Sequence, residues 1–344
     1  MKHVTLNTIK ILKQGGLVVF PSDTVYGLLV DATNKNAVKK LIAFKNRPPG
    51  KAISIFVSDF KMMKKYVEVS KEKEKLLTEL LPGPFTIVLR SKQKVCHELE
   101  SEKKTLGVRI PSFNSINQLV KLFNKPVTAT SANLSGRSPH YSIESLLKEL
   151  PQAKKSLIDL IVDQGKLPRN KTSTVLDLTR PKLKILRRGD LDLKNENTYI
   201  SSSESQTKKI AKFILDKKLV NNTKPLFIII EGELGVGKTI FVKGVGEYLG
   251  IKNIISPSYV IYYEYQSKLR SIKTLIHADL YNIEEKEEFQ YLGLERYFKK
   301  GNIVCFEWGE RMGELFKVLK KKGKIVYVKM KFIDNKRREI EISQ

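Results

Sequence analysis

The clearest chemical motif in the sequence is the segment Gly232-Glu233-Leu234-Gly235-Val236-Gly237-Lys238-Thr239. It lies between an apolar run (226–230) and a helical pattern (241–249). A strand, a glycine-rich loop and a helix in this order predict a phosphate-binding P-loop. Backbone N–H groups of the loop would surround the phosphates, Lys238 would reach the β- and γ-phosphates, and Thr239 would offer its hydroxyl to Mg²⁺. The flanking strand and helix argue against a glycine-rich turn that matches by chance.

Two acidic residues further along the chain could complete this P-loop site. Glu307 ends the apolar run 303–306, and Asp279 ends a predicted strand at 274–278. A carboxylate at the end of an apolar strand is the expected Mg²⁺ anchor of a P-loop, so we assign Glu307 to the metal. Asp279 could orient the attacking water or bind the metal, and a helix cap is its alternative role. For Trp308, packing is favoured over ligand stacking.

Polar clusters in the first 190 residues predict a second, unrelated site. Each cluster stands where a predicted strand ends or a turn begins, which is where α/β sheets bind ligands. The clusters are Ser22-Asp23-Thr24, Lys45 with Arg47 and Lys51, Thr128-Ala129-Thr130-Ser131-Ala132-Asn133, and Ser173-Thr174 with Arg187. Basic residues in tight loops suit phosphate, and Arg109 suits a carboxylate. The absence of a Ser–His–Asp arrangement favours catalysis by positioning and charge neutralisation. For each cluster alone, a solvated loop remains an open alternative.

The bulk composition limits the class of protein. The 344 residues allow two domains, each with its own core. No apolar run approaches the ~20 residues of a membrane span, and the N-terminal residues lack the apolar core of a signal peptide. The two cysteines, Cys96 and Cys305, are far apart, which argues against a disulfide framework and predicts a cytoplasmic protein. The four histidines show no zinc-ligand spacing, so no zinc site is expected.

The formal net charge of +27 admits two interpretations. A strongly basic protein favours a polyanionic partner such as RNA. A lysine-rich chain can also reflect a biased genome composition. Because the lysines are spread over both halves of the chain, both interpretations stay open.

The spacing of apolar residues predicts alternating strands and helices in both halves, and therefore an α/β fold. Helices are predicted at 6–12, 37–44, 71–81, 116–123, 208–219, 241–249 and 284–298. Strands are predicted at 17–20, 28–32, 53–57, 85–89, 107–110, 127–130, 174–178, 226–230, 260–265, 274–278, 303–306, 324–332 and 339–342. The polar segment 191–206 has the composition of a linker and predicts domains at 1–190 and 207–344.

Together, the polar clusters of the first half resemble the YrdC-type threonylcarbamoyl-adenylate synthases (TsaC). The resemblance spans nearly all of residues 1–190. It rests on the ordered blocks Pro21-Ser22-Asp23-Thr24-Val25-Tyr26-Gly27, Lys45-Asn46-Arg47-Pro48, Pro82-Gly83-Pro84-Phe85-Thr86, Gly107-Val108-Arg109-Ile110-Pro111, Ser131-Ala132-Asn133-Leu134-Ser135-Gly136, Ser173-Thr174-Val175 and Leu186-Arg187-Arg188-Gly189. It implies a YrdC-like twisted, open α/β sheet with a basic concave face. It also implies the joining of L-threonine, bicarbonate and ATP into threonylcarbamoyl-AMP, with release of pyrophosphate.

The resemblance implies roles for the matching positions. L-Threonine would be held by Thr24, Arg109, Thr128 and Ser173. ATP would be held by Arg47, Lys51, Ser131, Asn133 and Arg187. Lys45, Arg47 and Lys51 would act as catalytic cations and, with Mg²⁺, offset the charge on the departing pyrophosphate. The sequence Ser22-Asp23 stands where many members of the family have Thr-Glu.

The second half resembles TsaE, the small P-loop ATPase of bacterial tRNA threonylcarbamoylation. The resemblance covers about residues 207–344 and rests on the P-loop, Ser256-Pro257-Ser258-Tyr259, His277-Ala278-Asp279-Leu280-Tyr281 and Glu307-Trp308. It implies a P-loop NTPase-like α/β fold that binds ATP, with Asp279 as a catalytic residue. Asn282 stands where the family usually has arginine, which puts the role of that arginine in doubt here. Ser258 replaces the more usual threonine and keeps a hydroxyl.

Both resemblances lead to one pathway, the synthesis of threonylcarbamoyladenosine in tRNA. The chain would be a fusion of a TsaC-type synthase and a TsaE-type ATPase, with TsaD and TsaB transferase proteins as partners and direct tRNA contact through its basic surface as a further possibility. One alternative is an RNA-binding accessory protein with an ATPase switch. A small-molecule kinase is disfavoured because no acceptor-binding region or lid is visible.

Overall fold

The computed structural model describes residues 2–180, 183–219, 223–283 and 292–343. The chain divides into two compact units, Met1–Asp190 and Leu191–Gln344. The predicted α/β architecture with two domains is confirmed, because each unit has its own mixed sheet flanked by helices. Within the described ranges, no helix is long and apolar enough to cross a membrane.

The first unit is built on a nine-stranded sheet in the order β7-β1-β2-β6-β3-β5-β4-β8-β9. Its strands are β1 (Val18–Pro21), β2 (Tyr26–Leu29), β3 (Ser54–Phe56), β4 (Phe85–Arg90), β5 (Thr105–Arg109), β6 (Val127–Ser131), β7 (Leu160–Ile161), β8 (Thr174–Asp177) and β9 (Lys184–Arg187). Its helices are α1 (Lys2–Lys13), α2 (Lys35–Lys45), α3 (Phe60–Tyr66), α4 (Lys71–Leu80), α5 (Asn114–Phe123), α6 (Ile143–Glu149) and α7 (Gln152–Lys155), with a 3₁₀ turn at His97–Leu99.

Strands β4, β5 and β8 give this sheet two polar ends. β4 runs antiparallel to β5 and parallel to β8, so Thr86 is paired with Val175 and lies near the carboxyl end of β5. The middle of these strands is apolar and buried, as at Ile87, Leu106 and Leu176. Burial of that middle fixes the register and leaves the polar residues at the two strand ends for binding.

The second unit is built on an eight-stranded sheet in the order β10-β11-β17-β16-β12-β15-β14-β13. Its strands are β10 (Asp192–Asn195), β11 (Thr198–Ser201), β12 (Leu226–Glu231), β13 (Tyr262–Gln266), β14 (Thr274–Asp279), β15 (Asn302–Glu307), β16 (Lys324–Phe332) and β17 (Arg338–Ser343). Its helices are α8 (Glu204–Lys218), α9 (Lys238–Tyr248) and α10 (Leu315–Lys322), with 3₁₀ turns at Leu294–Tyr297 and Gly309–Arg311.

The centre of the second sheet consists of the four parallel strands β16, β12, β15 and β14. β12 and β15 are continuous apolar runs, as expected of parallel strands covered on both faces. Phe227 and Phe306 are fully buried in the core of this unit. The register of β14 on β15 pairs Asp279 with Glu307, which sets two carboxylates side by side at the carboxyl end of the sheet.

The predicted linker at 191–206 is wrong. This segment forms β10 and β11 and begins α8, and β11 pairs with β17 at the edge of the second sheet. Its polar residues 194–197 are exposed, whereas Leu193 and Tyr199 are buried, so a half-exposed hairpin has the average composition of a loop. Ser203 caps α8 by accepting a hydrogen bond from the backbone N–H of Gln206.

The other predicted elements lie within a few residues of observed ones, with one exception. The helix predicted at 284–298 falls partly on residues 284–291, which lie outside the described residues, and its end is the 3₁₀ turn Leu294–Tyr297. The short strands β7 and β9 were not predicted. β7 has only two residues, which is too short for a periodic pattern.

Candidate functional sites

A basic pocket of about 400 Å³ opens in the first unit. Its wall is formed by residues from strand ends and turns that range from Ser22 to Arg187 in the sequence. The predicted residues that line it are Thr24, Lys45, Arg47, Lys51, Arg109, Ser131, Asn133, Ser173 and Arg187. The fold therefore brings together nine of the ten positions assigned to threonine, ATP or catalysis in this half.

Arg109, at the end of β5, is a buried cation of this pocket, with 4 % of its surface exposed. Its Nη2 donates a hydrogen bond to Asp23 Oδ1, and its guanidinium carbon lies 5.5 Å from the centre of the Phe56 ring. Arg109 Nε and Asp23 Oδ2 are buried without a hydrogen-bond partner among the described residues. A buried guanidinium with a spare donor is suited to a carboxylate ligand.

A second cation, Arg187, is held beside Arg109 by the turn before β8. Its Nη2 donates to the backbone oxygen of Ser173 at 2.9 Å and to Ser173 Oγ at 3.1 Å, and that hydroxyl lies 2.8 Å from Thr86 Oγ1. Burial lowers the pKa of Arg187, and the charge of Arg109 lowers it further. Arg109 is buried and Arg187 is partly exposed, and the repulsion between their charges makes an anionic ligand favourable at this point.

Thr128, which the sequence assigns to threonine binding, is not among the residues that line the pocket. Thr128 is fully buried. Its Oγ1 donates to the backbone oxygen of Leu28 at 2.9 Å and accepts a hydrogen bond from the N–H of Val30 at 3.1 Å. The side chain therefore ties β6 to β2 and does not line the pocket. Thr130, two residues further along, lines it instead. Both threonines lie in one block of polar residues and alanines, so the sequence does not distinguish them.

The loop from Ser131 to Asn133 is organised by Lys45, the last residue of α2. Lys45 Nζ donates to the backbone oxygens of Ser131 and Asn133 at 2.8 Å each. Burial, assisted by the charge of Arg47, lowers the pKa of Lys45 to about 7. Its ammonium positions the loop, and a direct catalytic role stays a prediction.

Arg47 and Lys51 bracket the Pro-Pro-Gly loop on another wall. Arg47 donates from Nε to the backbone oxygen of Lys51 at 2.8 Å and from Nη2 to that of Ala52. Burial lowers the pKa of Arg47. These bonds fix the guanidinium at the pocket wall, where its remaining donors could meet phosphate oxygens.

The P-loop of the second unit lines a separate cavity of about 450 Å³. Gly232 has φ 141° and a Cβ there would lie 2.3 Å from the backbone oxygen of Met330, so only glycine fits. Gly237 has φ 108° and immediately precedes α9. The loop residues Leu234, Gly235, Gly237, Lys238 and Thr239 line the cavity, whereas the Val236 side chain is fully buried beneath it. Gly232 and Glu233 contribute through the backbone oxygens described next.

Lys238 is held against the loop and against Trp308. Its Nζ donates to the backbone oxygens of Gly232 at 2.7 Å and Glu233 at 3.0 Å and lies 3.7 Å from the centre of the Trp308 ring. Burial lowers the pKa of Lys238, while Glu307, Glu310 and Asp279 oppose that shift. Trp308, for which the sequence favours packing, thus lines the cavity and contacts the P-loop lysine.

Glu307 connects the P-loop to a buried histidine. Its Oε2 accepts from Thr239 Oγ1 at 3.1 Å, and its Oε1 lies 2.7 Å from His277 Nε2. His277 is fully buried, and its Nδ1 has no partner among the described residues. The sequence motif alone gives His277 no role, although its position two residues before Asp279 in β14 places both side chains on one face of the strand.

Asp279 organises the neighbouring loop. Its Oδ2 accepts from Ser258 Oγ at 2.6 Å and its Oδ1 accepts from the N–H of Tyr281 at 3.0 Å. The side-chain amide of Asn282 donates to the backbone oxygen of Ser258 at 2.7 Å. Asp279, Ser258 and Asn282 all line the P-loop cavity. Asp279 is therefore available to orient a water molecule there, and its hydrogen bonds also hold the loop.

The oxygen donors at this site fit Mg²⁺. Thr239 Oγ1 and Glu307 Oε2 are adjacent hard oxygen ligands, which together with phosphate oxygens and water form the set that Mg²⁺ prefers. No group of three or more His, Cys, Asp or Glu residues that could hold a metal occurs within the described ranges.

Comparison with known families identifies both units. A family model named Sua5/YciO/YrdC and described as "Telomere recombination" matches residues 10–189. The chain therefore belongs to the Sua5/YciO/YrdC family. A second model, described as "Threonylcarbamoyl adenosine biosynthesis protein TsaE", matches residues 201–340. The predicted combination of a TsaC-type domain and a TsaE domain in one chain is thus confirmed, and it associates the chain with threonylcarbamoyladenosine biosynthesis.

Individual relatives match the first unit. The chain is 33 % identical over 187 residues to the threonylcarbamoyl-AMP synthase of Pyrococcus abyssi, covering 53 % of this chain and 53 % of that protein. It is 32 % identical over 180 residues to a putative threonylcarbamoyl-AMP synthase of Methanocaldococcus jannaschii, covering 52 % of this chain and 83 % of that protein. The chain thus spans only about half the length of the Pyrococcus relative.

Two solved structures share the fold. E. coli YciO matches with a TM-score of 0.50 and 26 % identity over 55 % of this chain and 90 % of that chain. P. abyssi Sua5, solved as a complex with L-threonine, matches with a TM-score of 0.52 and 20 % identity over 97 % of this chain and 90 % of that chain. At that identity the second likeness concerns the fold alone.

Proposed function

We propose that the first unit synthesises threonylcarbamoyl-AMP from L-threonine, bicarbonate and ATP. The observation that carries this proposal is the convergence of Arg109, Arg187 and Ser173 in one pocket with Arg47 and Lys51. Arg109, Arg187 and Ser173 suit the carboxylate of an amino acid. Arg47 and Lys51 suit the phosphates of ATP. The names of the two archaeal relatives support this substrate class.

The pocket performs this reaction by holding the reactants together. The threonine amine attacks the carbon of CO₂ derived from bicarbonate, forms a C–N bond and loses a proton, which gives a carbamate. A carbamate oxygen then attacks the α-phosphorus of ATP, the bond to the bridging oxygen breaks, and pyrophosphate leaves with the electron pair. Arg47 and Lys51 would offset the charge that builds on this leaving group. Thr24 lines the same pocket, where its hydroxyl can contact the threonine side chain.

The second unit, on this proposal, hydrolyses ATP to ADP and phosphate. Lys238 and the loop N–H groups would hold the phosphates, and Asp279 would orient the water. Mg²⁺, held by Thr239 and Glu307, would neutralise charge on the β- and γ-phosphates when it is bound. Lys238 must leave the backbone oxygens that it now contacts in order to reach a phosphate.

The partners of the second unit would be the TsaD and TsaB transferase proteins, whose cycle its ATP hydrolysis would drive or reset. This part of the proposal rests on the TsaE match at residues 201–340. The product of the first unit would be the donor that the transferase complex places on tRNA. An accessory RNA-binding protein with an ATPase switch is the alternative, and it predicts no threonine-dependent release of pyrophosphate.

Matched substitutions in the two sites test the proposal. Pyrophosphate release that depends on threonine and bicarbonate is measured for the full chain, for Arg47→Ala and for Lys238→Ala. We expect Arg47→Ala to lose this activity by at least about 100-fold, since one charge-stabilising donor is worth 10²–10³ in rate. Lys238→Ala should retain it and lose ATP hydrolysis to ADP. Equal loss of pyrophosphate release in both variants would refute two independent sites.

A further inference from the structure

The turn after β15 places an arginine beside the P-loop cavity. Trp308 follows Glu307 with φ 61° and ψ 48°, the left-handed region that a bulky residue rarely adopts. This conformation leads into the 3₁₀ turn Gly309–Arg311, which ends at Arg311. A strained backbone at a bulky residue is typical of functional sites, where the surrounding structure holds a side chain in a required position.

Arg311 packs against two aromatic side chains of the cavity wall. Its guanidinium carbon lies 5.3 Å from the centre of the Tyr281 ring and 5.8 Å from the centre of the Trp308 ring. The centres of these two rings are 5.0 Å apart, and both residues line the P-loop cavity. Lys238 Nζ lies 3.7 Å from the centre of the same Trp308 ring. One indole therefore joins the P-loop lysine to Arg311.

The guanidinium of Arg311 has donors available for a ligand. The residue is exposed, and its Nη1 donates a hydrogen bond to the backbone oxygen of Tyr281. In the part of the chain that the structure describes, no carboxylate forms an ion pair with Arg311. Because a guanidinium carries several N–H groups in a planar fork, this one hydrogen bond leaves others that can meet the oxygens of an anion.

The chemistry proposed for this cavity requires more positive charge than its walls supply. Among the described lining residues, Lys238 alone is a cation, whereas Asp279 and Glu307 are carboxylates. During hydrolysis the water oxygen bonds to the γ-phosphorus, the bond to the β–γ bridging oxygen breaks, and its electron pair goes to ADP. The protons of the water end on the released phosphate. Negative charge stays on the γ-phosphoryl oxygens throughout, and an arginine that contacts them stabilises the transition state.

Arg338 also lies near the P-loop but does not reach its cavity. A Cβ on Gly237 would lie 3.8 Å from Arg338 Cδ and 4.0 Å from Arg338 Nε. That Nε is buried, and Arg338 is not among the residues that line the cavity. Arg338 therefore packs against the loop, whereas Arg311 is exposed next to two residues of the cavity wall.

We propose that Arg311 is a catalytic residue of the second unit and contacts the γ-phosphate of ATP during hydrolysis. This inference rests on the ATPase function proposed for that unit. Arg311 would exchange its hydrogen bond to Tyr281 for bonds to γ-phosphate oxygens, and the Tyr281 and Trp308 rings would guide its planar guanidinium. Lys238 would move from its backbone oxygens to the β- and γ-phosphates. The chain would thus supply in cis the arginine that some phosphoryl-transfer enzymes take from a partner.

Three variants of the full chain test this role. Arg311→Gln removes the charge and keeps an N–H donor for Tyr281, and Arg311→Lys keeps the charge without the planar fork. The control Arg296→Gln changes another exposed arginine, which lies 4.8 Å from the centre of the Tyr297 ring, donates to the Tyr297 hydroxyl at 2.9 Å and does not line the cavity. Phosphate release from ATP is measured, and calorimetry gives the affinity for ADP with and without aluminium fluoride.

We expect Arg311→Gln to lower kcat for ATP hydrolysis by at least about 100-fold, since an arginine at the γ-phosphate is worth 10³–10⁵ in rate. Arg311→Lys should lie between this variant and the unaltered chain. Arg296→Gln should change kcat by less than about 3-fold. The affinity for ADP should change by less than about 3-fold in each variant, because ADP has no γ-phosphate.

Aluminium fluoride bound beside ADP mimics the transferring phosphoryl group, so it reports on Arg311 without turnover. In the unaltered chain it should strengthen the binding of ADP, because transition-state mimics bind more tightly than ground-state ligands. In Arg311→Gln this gain in affinity should be at least about 10-fold smaller, whereas Arg296→Gln should keep it.

Three outcomes contradict the inference, and they can be told apart. If the unaltered chain hydrolyses ATP and Arg311→Gln does so with the same kcat, the ATPase function stands and Arg311 has no catalytic role. If Arg311→Gln weakens the binding of ADP as much as it lowers kcat, Arg311 only holds the loop at Tyr281. If the unaltered chain releases no phosphate and gains no affinity for ADP from aluminium fluoride, the proposed ATPase function is itself wrong, and this inference with it.

Discussion

The basic pocket and the P-loop both suit phosphates, but they are built in opposite ways. The pocket collects side chains from Thr24 to Arg187, whereas the P-loop uses backbone groups and side chains from eight consecutive residues. The cationic side chains of the two sites also differ in the contacts that they make before a ligand binds. Arg109 and Arg187 lie close together and repel each other, while Lys238 is already held by two backbone oxygens and Trp308. The first site is thus prepared for an anion, and the second must release its lysine before it binds one.

The largest effect expected from this contrast is at Arg109. In Arg109→Gln, buried Asp23 loses its partner, so the free energy of unfolding should fall by about 3 kcal/mol, and threonine-dependent pyrophosphate release should be lost. ATP hydrolysis in the second unit should persist. Thermal unfolding and both activities are measured on the same preparations.

The double variant Asp23→Asn/Arg109→Gln separates stability from binding. Because no buried charge is left unpaired, it should recover most of the lost stability. It should still lack the synthase activity, since the carboxylate of threonine loses the buried guanidinium of Arg109. Recovery of activity along with stability would show that Arg109 has only a structural role.

An intermediate effect is expected at His277, which contacts Glu307 and no cavity surface. In His277→Leu the carboxylate loses the hydrogen bond that orients it, so the Mg²⁺-dependent gain in ATP affinity should fall by about 10-fold, within the range for groups that orient metal ligands. Trp308 is the only tryptophan of the chain, so its fluorescence reports nucleotide binding with and without Mg²⁺.

The matched variant for this position is His277→Gln, whose amide can donate to Glu307 from a position close to that of Nε2. It should restore most of the Mg²⁺ dependence. If both variants lowered thermal stability but bound ATP and Mg²⁺ as the unaltered chain does, His277 would serve packing alone.

The smallest effect expected is the uptake of a fraction of a proton when ATP binds to the basic pocket. Because the pKa of Lys45 is lowered to about 7, the group is largely neutral at pH 8. ATP beside it favours the charged form and raises that pKa, so binding at pH 8 should take up a fraction of a proton. Calorimetry in buffers of different ionisation enthalpy measures this uptake.

Lys45→Met should abolish the uptake at pH 8, and the P-loop variant Lys238→Ala should leave it in place. The direction of proton transfer is informative, because protons released by ATP itself would change the buffer-dependent heat in the opposite direction. Proton release in the unaltered chain would contradict the assignment to Lys45.

The contrast between the sites also explains what the sequence could predict. The P-loop is a contiguous pattern, so its strand, loop and helix were predicted together. The basic pocket depends on which strands become neighbours, and only the resemblance to a family joined its clusters. Thr128 illustrates this, because Thr128 and Thr130 lie two positions apart in one strand, and only the fold shows that the Thr128 hydroxyl bonds to the backbone of β2.

His277 and the segment 191–206 show two further limits of prediction from the sequence. A histidine in an apolar strand resembles a core residue until its partner strand is known, and here the register of β14 on β15 places it beside Glu307. A polar hairpin at a sheet edge resembles a linker because its buried residues, such as Leu193 and Tyr199, are few. In both cases the missing information is a pairing between distant segments.

The hairpin of β10 and β11 has a practical consequence for dissecting the protein. A fragment that starts at residue 207 would remove both strands and expose the long edge of β17, whose residues Arg338–Glu341 now pair with β11. An uncovered strand of this kind pairs with other chains, so such a fragment should self-associate. A fragment that starts at Leu191 keeps the edge covered and should remain monodisperse. Strand pairing therefore sets the useful boundary for expressing the ATPase alone, which is Leu191, the first residue of the polar segment.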